Sequence, residues 1–135
     1  MKIRKYKDSD RPALIALWKS VFPNDPPHNA PEIVLEQKLA VDDLIFVVED
    51  NGRIEGGCMA GYDGHRGWLY AVAVSAGYRR KNAGTQMVKA AFRALKEIGC
   101  TKINIQIRAD NTAVARFYES LGFSVENRLS MGVHI

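Results

Sequence analysis

Cysteine, proline and long apolar runs are all scarce in this 135-residue chain, and each scarcity excludes a class of protein. The two cysteines, Cys58 and Cys100, are far apart in apolar surroundings and form no CxxC pair, so a zinc site is not expected. They are typical of small buried residues in a reducing compartment. No apolar run reaches the roughly 18 residues of a membrane-spanning helix, and the start of the chain lacks the apolar segment of a signal peptide. We therefore expect a cytoplasmic protein with no metal and no membrane partner.

The composition favours one ordinary folded domain over residues 1–135. The hydrophobic fraction is 47% and the charged fraction is 25%, which argues against disorder. A net charge of +4 is a mild excess that a solvated surface can explain. The excess becomes informative only where cations cluster, as they do at Arg79, Arg80 and Lys81.

The first half of the chain predicts a strand, two helices and a meander of strands. Ser9 or Asp10 can cap a helix that ends near Ser20 or Phe22. Four of the five prolines lie in residues 23–31, which indicates a loop, and Pro31 suits the first turn of a second helix. Asn51-Gly52 then separates two strand-like runs, a strong hairpin signal. A further strand is expected over residues 68–74.

In the second half of the chain, the spacing of apolar residues predicts a helix, a strand, another helix and a return to strands. Met87, Val88, Ala91, Leu95 and Ile98 share one helical face, and Gly99 follows as a terminator. A half-buried strand is expected over residues 103–107, where isoleucine alternates with polar residues. Asp110 or Asn111 can cap a fourth helix that ends at Gly122, and residues 123–135 are expected to return as one or two strands. The predicted order is β-α-α-β-β-β-α-β-α-β(-β): an α/β (α+β) domain with a mixed, mostly antiparallel central sheet flanked by about four helices.

The turn at residues 78–85 is the strongest candidate site. Three cations precede a helix amino terminus, which presents unpaired N–H groups and partial positive charge, and this combination suits a phosphate or pyrophosphate. Asn82 and Gly84 tolerate the unusual backbone angles that such a turn requires. A solvated basic turn is the alternative. The spacing fits neither the Walker pattern nor the dinucleotide fingerprint.

Two segments together resemble the GNAT acetyltransferase superfamily. The family carries Arg/Gln-x-x-Gly-x-Gly/Ala at the turn after its fourth strand, and here the match is Arg79-x-x-Asn82-x-Gly84, with Asn82 in place of the first glycine. The segment from Asn111 through Phe117-Tyr118 to Gly122-Phe123 resembles the family's later block. The resemblance covers essentially the whole chain, and residues 62–67 also resemble a bacterial subgroup without a well-defined substrate.

This resemblance implies an enzyme, an acetyl-coenzyme A-dependent N-acetyltransferase acting on a primary amine of a small molecule or peptide in a ternary complex. The fourth and fifth strands would splay apart near Val74 and Ile107 to admit the pantetheine arm. The implied cofactor-binding residues are Val72, Ala73, Val74, Arg79, Arg80, Lys81, Asn82, Ala83, Gly84, Thr85, Asn111 and Tyr118.

Tyr118 is the residue that the resemblance implies as the general acid. A phenol with a pKa near 10 can protonate a leaving thiolate of similar basicity. A core aromatic at helical spacing is the alternative reading. The general base is unassigned, because the strand at 68–74 has no carboxylate; Glu55, Asp63 and His65 are the nearest candidates, and each also fits a surface or turn role.

Substrate selection is expected near the first two helices and the turn at 62–67, where Trp18, Phe22, His28 and Tyr62 could line a pocket, although Trp18 fits the core better. A coenzyme A sensor without turnover is the alternative function. Nucleic-acid binding is disfavoured because aromatic residues are not interleaved with the cations. A monomer and a homodimer both remain open.

Overall fold

The computed structural model describes all 135 residues and divides them into two compact units, Met1–Ile105 and Gln106–Ile135. The predicted α+β class is confirmed, and none of the four α-helices is both long enough and apolar enough to cross a membrane. The first unit contains β1 (Lys2–Lys5), α1 (Arg11–Val21), α2 (Pro31–Leu39), β2 (Ile45–Asp50), β3 (Arg53–Tyr62), β4 (Gly67–Val74), α3 (Ala83–Glu97) and β5 (Ile103–Asn104). The second unit contains α4 (Thr112–Ser120).

The five strands form one sheet in chain order, β1-β2-β3-β4-β5. The first three pairings are antiparallel and the last, β4 with β5, is parallel, so the predicted mixed sheet is confirmed. The expected hairpin joins β2 to β3. Its two loop residues, Asn51 at φ 51° and Gly52 at φ 74°, both have the positive φ that a type I′ turn requires.

One face of the sheet is covered by α1 and α2. Leu14, Leu17 and Trp18 of α1 and Leu35 of α2 are buried, and they pack against a core group of sheet residues: Ile45, Val47, Met59 and Ala73. The close approach depends on Gly57, where an added methyl group would lie 2.3 Å from Leu14 Cδ1. A glycine on β3 therefore allows α1 to contact the strand backbone.

The opposite face is covered by α3. Its buried residues, Ala83, Met87, Val88, Ala91 and Leu95, recur at helical spacing as predicted. Ile98 departs from that prediction: it lies after the last helical residue and is 52% exposed. The helix ends there because Gly99 adopts φ 100°, the left-handed conformation expected of a terminating glycine.

Arg4 joins the start of α1 to the sheet. Its guanidinium donates to both carboxylate oxygens of Asp10 at 2.8 and 2.9 Å, and it donates to Glu49 Oε1 at 2.7 Å. Asp10 precedes α1 as predicted, but its side chain makes no capping bond to that helix. The carboxylate instead binds Arg4 and accepts from the Lys7 amide at 2.9 Å.

The last third of the chain departs from the sequence prediction in its strands. The strand expected over residues 103–107 is limited to Ile103–Asn104, and residues 121–135 contain no strand. The tail alternates apolar and polar residues, but alternation produces a strand only where a neighbouring strand supplies backbone partners and a buried face. Here the apolar side chains after Phe123 are exposed by at least 86%: Val125, Leu129, Met131, Val133 and Ile135.

Candidate functional site

The basic turn between β4 and α3 presents its cations to solvent. A 3-10 turn, Ala76–Tyr78, leads to Arg79, Arg80 and Lys81, and all three of these cations are exposed. The first helical residue, Ala83, is fully buried and anchors the helix start, whereas Gly84 and Thr85 are partly exposed. The turn therefore offers positive charge at a helix amino terminus, the arrangement predicted from the sequence.

Asn82 is the residue that shapes this turn. It adopts φ 63° and ψ 17°, in the left-handed region, and its side chain makes no capping hydrogen bond. Asparagine tolerates this region better than most residues, so it can stand where the family pattern has glycine. The first amides of α3 have no acceptor within the helix and are not capped by Asn82, which leaves them available to an anion.

The segment before the turn is bound to the β2–β3 hairpin by two hydrogen bonds to carboxylates, and sequence analysis predicted neither bond. The Tyr78 hydroxyl donates to Asp50 Oδ2 at 2.5 Å, and the Ser75 hydroxyl donates to Glu55 Oε2 at 2.5 Å. The hydrogen bond to Asp50 raises the pKa of the Tyr78 hydroxyl, and the same bond lowers the pKa of the Asp50 carboxyl. No sequence motif marks these pairs, because the partners are 28 and 20 residues apart.

A β-bulge interrupts β4 just before Val72, Ala73 and Val74. Met59 pairs with Tyr70 and Gly57 pairs with Ala73, so β4 uses one more residue than β3 across this stretch. Ala71 adopts φ 51°, and its carbonyl accepts a 2.8 Å hydrogen bond from Trp18 Nε1. Bulges of this kind redirect side chains and end regular pairing, and they are frequent beside active sites.

The edge of β4 that faces β5 is paired over a short stretch only. The parallel ladder joins Gly67 with Ile103 and Trp68 with Asn104, and the rest of β4 has no partner on β5. Ladder pairing of β4 with β5 thus ends at Trp68 and Asn104. The expected splaying of the two strands near Val74 and Ile107 stays a prediction. Within the unpaired stretch the Val74 carbonyl accepts from Arg79 Nε at 3.2 Å.

The two candidate residues of the second unit have distinct environments on α4. The Asn111 side chain caps the helix, accepting from the Val114 amide at 3.3 Å. Tyr118 is 6% exposed, and its ring makes edge contacts with Phe117 and Phe123 at centroid distances of 5.0 and 5.4 Å. Capping accounts for the Asn111 oxygen and leaves the nitrogen of its carboxamide to donate elsewhere.

The acidic candidates for a general base have structural partners. Glu55 accepts from Ser75, as described, and Asp63 Oδ1 accepts from the amides of His65 and Arg66 at 2.8 Å each. The bonds from Arg66 and His65 hold the pKa of the Asp63 carboxyl below its usual value. His65 Nδ1 lies 3.3 Å from Arg66 Nη1. These contacts favour turn and positioning roles, and the base stays unassigned.

The residues expected to line a substrate pocket also have assigned positions. Trp18 is 2% exposed and belongs to the core, as the sequence favoured, and Phe22 packs against that core. The Tyr62 hydroxyl donates to the carbonyls of Gly64 and Gly99 at 3.2 Å each. His28 is exposed on the loop before α2.

Comparisons with known proteins find relatives by sequence and by fold. The sequence model of the Acetyltransferase (GNAT) family matches residues 11–123. An acetyltransferase from Yersinia pestis is 37% identical over 133 residues, which is 98% of this chain and 94% of that relative.

Two solved structures share the fold. The aminoglycoside N-acetyltransferase AAC(6')-Iy, solved with the bisubstrate analogue CoA-S-monomethyl-acetylneamine, has a TM-score of 0.82 at 20% identity and covers 99% of this chain and 97% of its own. The Escherichia coli ribosomal-protein alanine N-acetyltransferase has a TM-score of 0.78 at 21% identity, with 91% of this chain and 77% of its own covered.

Proposed function

Because this chain belongs to the Acetyltransferase (GNAT) family, we propose that it transfers the acetyl group of acetyl-coenzyme A to a primary amine of a small molecule or peptide. The amine would attack directly in a ternary complex. We also propose that the two units act as a single domain over residues 1–135. The match to the family over residues 11–123, which includes residues of both units, supports this.

The observation that carries the proposal is the left-handed Asn82 at the start of α3, behind three exposed cations. In this conformation the amides from Arg80 to Thr85 are proposed to bind the pyrophosphate, apart from the Lys81 amide, which donates to the Tyr78 carbonyl at 3.1 Å. Arg79, Arg80 and Lys81 would supply charge. The residues fit the group, because the amide donors and the cations lie in one exposed turn and the helix dipole adds positive potential there.

The unpaired edge of β4 is the proposed place of the pantetheine arm. Backbone groups of Val72, Ala73 and Val74 would hydrogen-bond to it, since β5 does not use that part of the edge. An amide at this edge would also donate to the thioester carbonyl as negative charge develops there. Holding both reactants in place can lower the barrier by about 7–11 kcal/mol.

Asn111 and Tyr118 are the proposed contributions of α4. Asn111 would donate from its carboxamide nitrogen to the pantetheine arm while its oxygen caps the helix. Tyr118 would protonate the departing thiolate as the general acid. Its ring packs edge-on against Phe117 and Phe123, and such packing helps to position a proton donor.

The second candidate function is a coenzyme A-binding sensor without turnover. The absence of a carboxylate on β4, together with the structural partners of Glu55 and Asp63, favours it, because no side chain is then poised to deprotonate the amine. An amine that loses its proton through water removes this objection, and the acetyltransferase proposal therefore stands first.

Calorimetry with acetyl-coenzyme A, followed by a screen of coenzyme A release with amino acids, polyamines, aminoglycosides and peptide amino termini, tests the proposal. We expect binding, turnover on at least one amine class, and a loss of about 10²-fold or more in kcat for Tyr118→Phe. The matched control is Tyr6→Phe, which also removes one tyrosine hydroxyl, in the segment between β1 and α1. Absence of binding at millimolar ligand contradicts the function, whereas tight binding without turnover, unchanged in Tyr118→Phe, supports the sensor.

A further inference from the structure

Resting on the proposed function, we propose that Asp50 and Tyr78 are positioning residues for the basic turn, so that the β2–β3 hairpin controls affinity for the pyrophosphate of acetyl-coenzyme A. Asp50 lies outside the turn, and Tyr78 is its first residue, ahead of the three cations. Their effect would pass through the shape of the turn and the placement of its cations.

The first step is the bond between hairpin and turn. Asp50 is the last residue of β2, and its carboxylate accepts from the Tyr78 hydroxyl at 2.5 Å. A charged acceptor makes this a strong hydrogen bond, and the lowered pKa of the Asp50 carboxyl keeps it ionised at neutral pH. Tyr78 ends the 3-10 turn immediately before Arg79, so the bond fixes the point from which the basic turn departs.

The second step leads from Tyr78 to a cation of the turn. The Lys81 ammonium lies 4.5 Å from the centroid of the Tyr78 ring, within the range of a cation–π contact. The Lys81 amide also donates to the Tyr78 carbonyl at 3.1 Å. Asp50 therefore restrains the Tyr78 ring, and the ring restrains the Lys81 ammonium. Loss of the Asp50–Tyr78 hydrogen bond would loosen both side chains.

A second tie stabilises the other end of the same segment. Ser75 is bound to the hairpin through its hydroxyl to Glu55 and through its amide to the Glu55 carbonyl at 2.9 Å. The Tyr78 amide in turn donates to the Ser75 carbonyl at 2.9 Å. Residues 75–78 are thus held at both ends by residues of one hairpin, and Asp50–Tyr78 is the tie nearer to the cations.

The test compares Tyr78→Phe, Asp50→Asn and the double variant with the unchanged protein. Calorimetry measures the Kd of acetyl-coenzyme A and of adenosine 3′-phosphate 5′-diphosphate, which keeps the pyrophosphate and lacks the pantetheine arm. We expect Tyr78→Phe to weaken both ligands by about tenfold, because it removes the hydroxyl donor. Asp50→Asn keeps a neutral acceptor for that hydroxyl and weakens the ion pair of Asp50 with the Met1 amino group at 3.3 Å, so it should weaken both ligands by about threefold. The double variant should weaken them no further than Tyr78→Phe. With an accepted amine, KM for acetyl-coenzyme A should rise while kcat at saturation stays within about twofold.

Asp43→Asn is the matched control for the loss of one negative charge. Asp43 forms an exposed ion pair with Lys5 at 3.0 Å, and this variant should bind both ligands normally. The positioning role is overturned if the unchanged protein binds acetyl-coenzyme A and Tyr78→Phe binds it equally well, or if Asp43→Asn weakens binding as much as Asp50→Asn. Tyr78→Phe, which keeps the ring, decides the outcome should Asp50→Asn fail to fold. If the unchanged protein does not bind, the proposed function fails with it.

Discussion

At the scale of single residues, the conformation of Asn82 shows whether an asparagine can replace the first glycine of the family pattern without changing the turn. A left-handed conformation costs about 1–2 kcal/mol for most L-residues, and asparagine is among the few that adopt it readily. At φ 63° the residue lies where a glycine would lie, and its exposed side chain leaves the helix amides uncapped. The substitution therefore preserves the backbone that anion binding requires.

Asn82→Ala should lower the free energy of unfolding by about 1 kcal/mol, because alanine has no such tolerance of positive φ. Asn82→Gly should stay within about 0.5 kcal/mol, since the relief of backbone strain is offset by greater freedom in the unfolded chain. Urea denaturation measures both. Asn127→Ala, an exposed asparagine outside the left-handed region, is the control. Equal stability of Asn82→Ala and Asn127→Ala would contradict the argument.

At the scale of elements, the Arg4 guanidinium links β1, the start of α1 and β2 through Asp10 and Glu49. Asp10 is 5% exposed, and its hydrogen bonds with Arg4 lower the pKa of its carboxyl. The hydrogen bonds from Arg4 likewise lower the pKa of the Glu49 carboxyl. Neutralising Asp10 removes one of these two carboxylates and leaves the Arg4 guanidinium paired with Glu49 alone.

Both carboxyl pKa values are lower in the folded state, so the unfolded chain binds protons first as the pH falls. The stabilisation is therefore present above the unfolded pKa of about 4 and is lost as the pH falls below it. Asp10→Asn should lower the free energy of unfolding by about 2 kcal/mol at pH 7, since a charge-assisted hydrogen bond is weakened while Glu49 still pairs with Arg4. It should also flatten the decline of that free energy below about pH 5. Denaturation at a series of pH values tests this, with Asp43→Asn as the exposed control; parallel pH curves for Asp10→Asn and the unchanged protein would refute it.

The elements that sequence predicted well are those with local signals. Asn51-Gly52, Pro31, Gly99 and Gly122 each determine a turn or helix end through their own backbone preferences, and all four do so in the structure. The bulge at Ala71 was not predictable, because nothing local marks an alanine for φ 51°; it depends on the Trp18 indole, 53 residues away. The hydrogen bonds of Asp50 with Tyr78 and of Glu55 with Ser75 were not predicted for the same reason, because their partners are distant in sequence. The strand expected in the tail also requires a distant partner strand, and it does not form.

At the scale of the whole molecule, the net charge of +4 is small, so attraction of an anionic ligand must come from the local cluster at 79–81. We expect the Kd of acetyl-coenzyme A to rise by about threefold to tenfold between about 0.05 and 0.5 M KCl, because salt screens exposed charges. Calorimetry over that range of KCl measures the slope of log Kd against log salt concentration.

Arg80→Gln should reduce this salt dependence, whereas Lys5→Gln, which removes the same charge from an exposed pair with Asp43, should not change it. An identical slope for both variants would indicate that overall charge, and not the turn, attracts the ligand. The two variants have the same net charge, so the comparison separates the local field from the total.

The bulge in β4 also changes how a mutational scan of this strand should be interpreted. Tyr70 and Ala73 lie opposite Met59 and Gly57 on the α1 side of the sheet, so Val72 and Val74 face the α3 side although Tyr70 is only two positions before Val72. A periodicity analysis that assumes strict alternation would assign residues 72–74 to the wrong side. Along β4, tolerant and intolerant positions should alternate, and this alternation should shift by one residue at Ala71. A sequence alignment that places a gap at Ala71 would hide the shift.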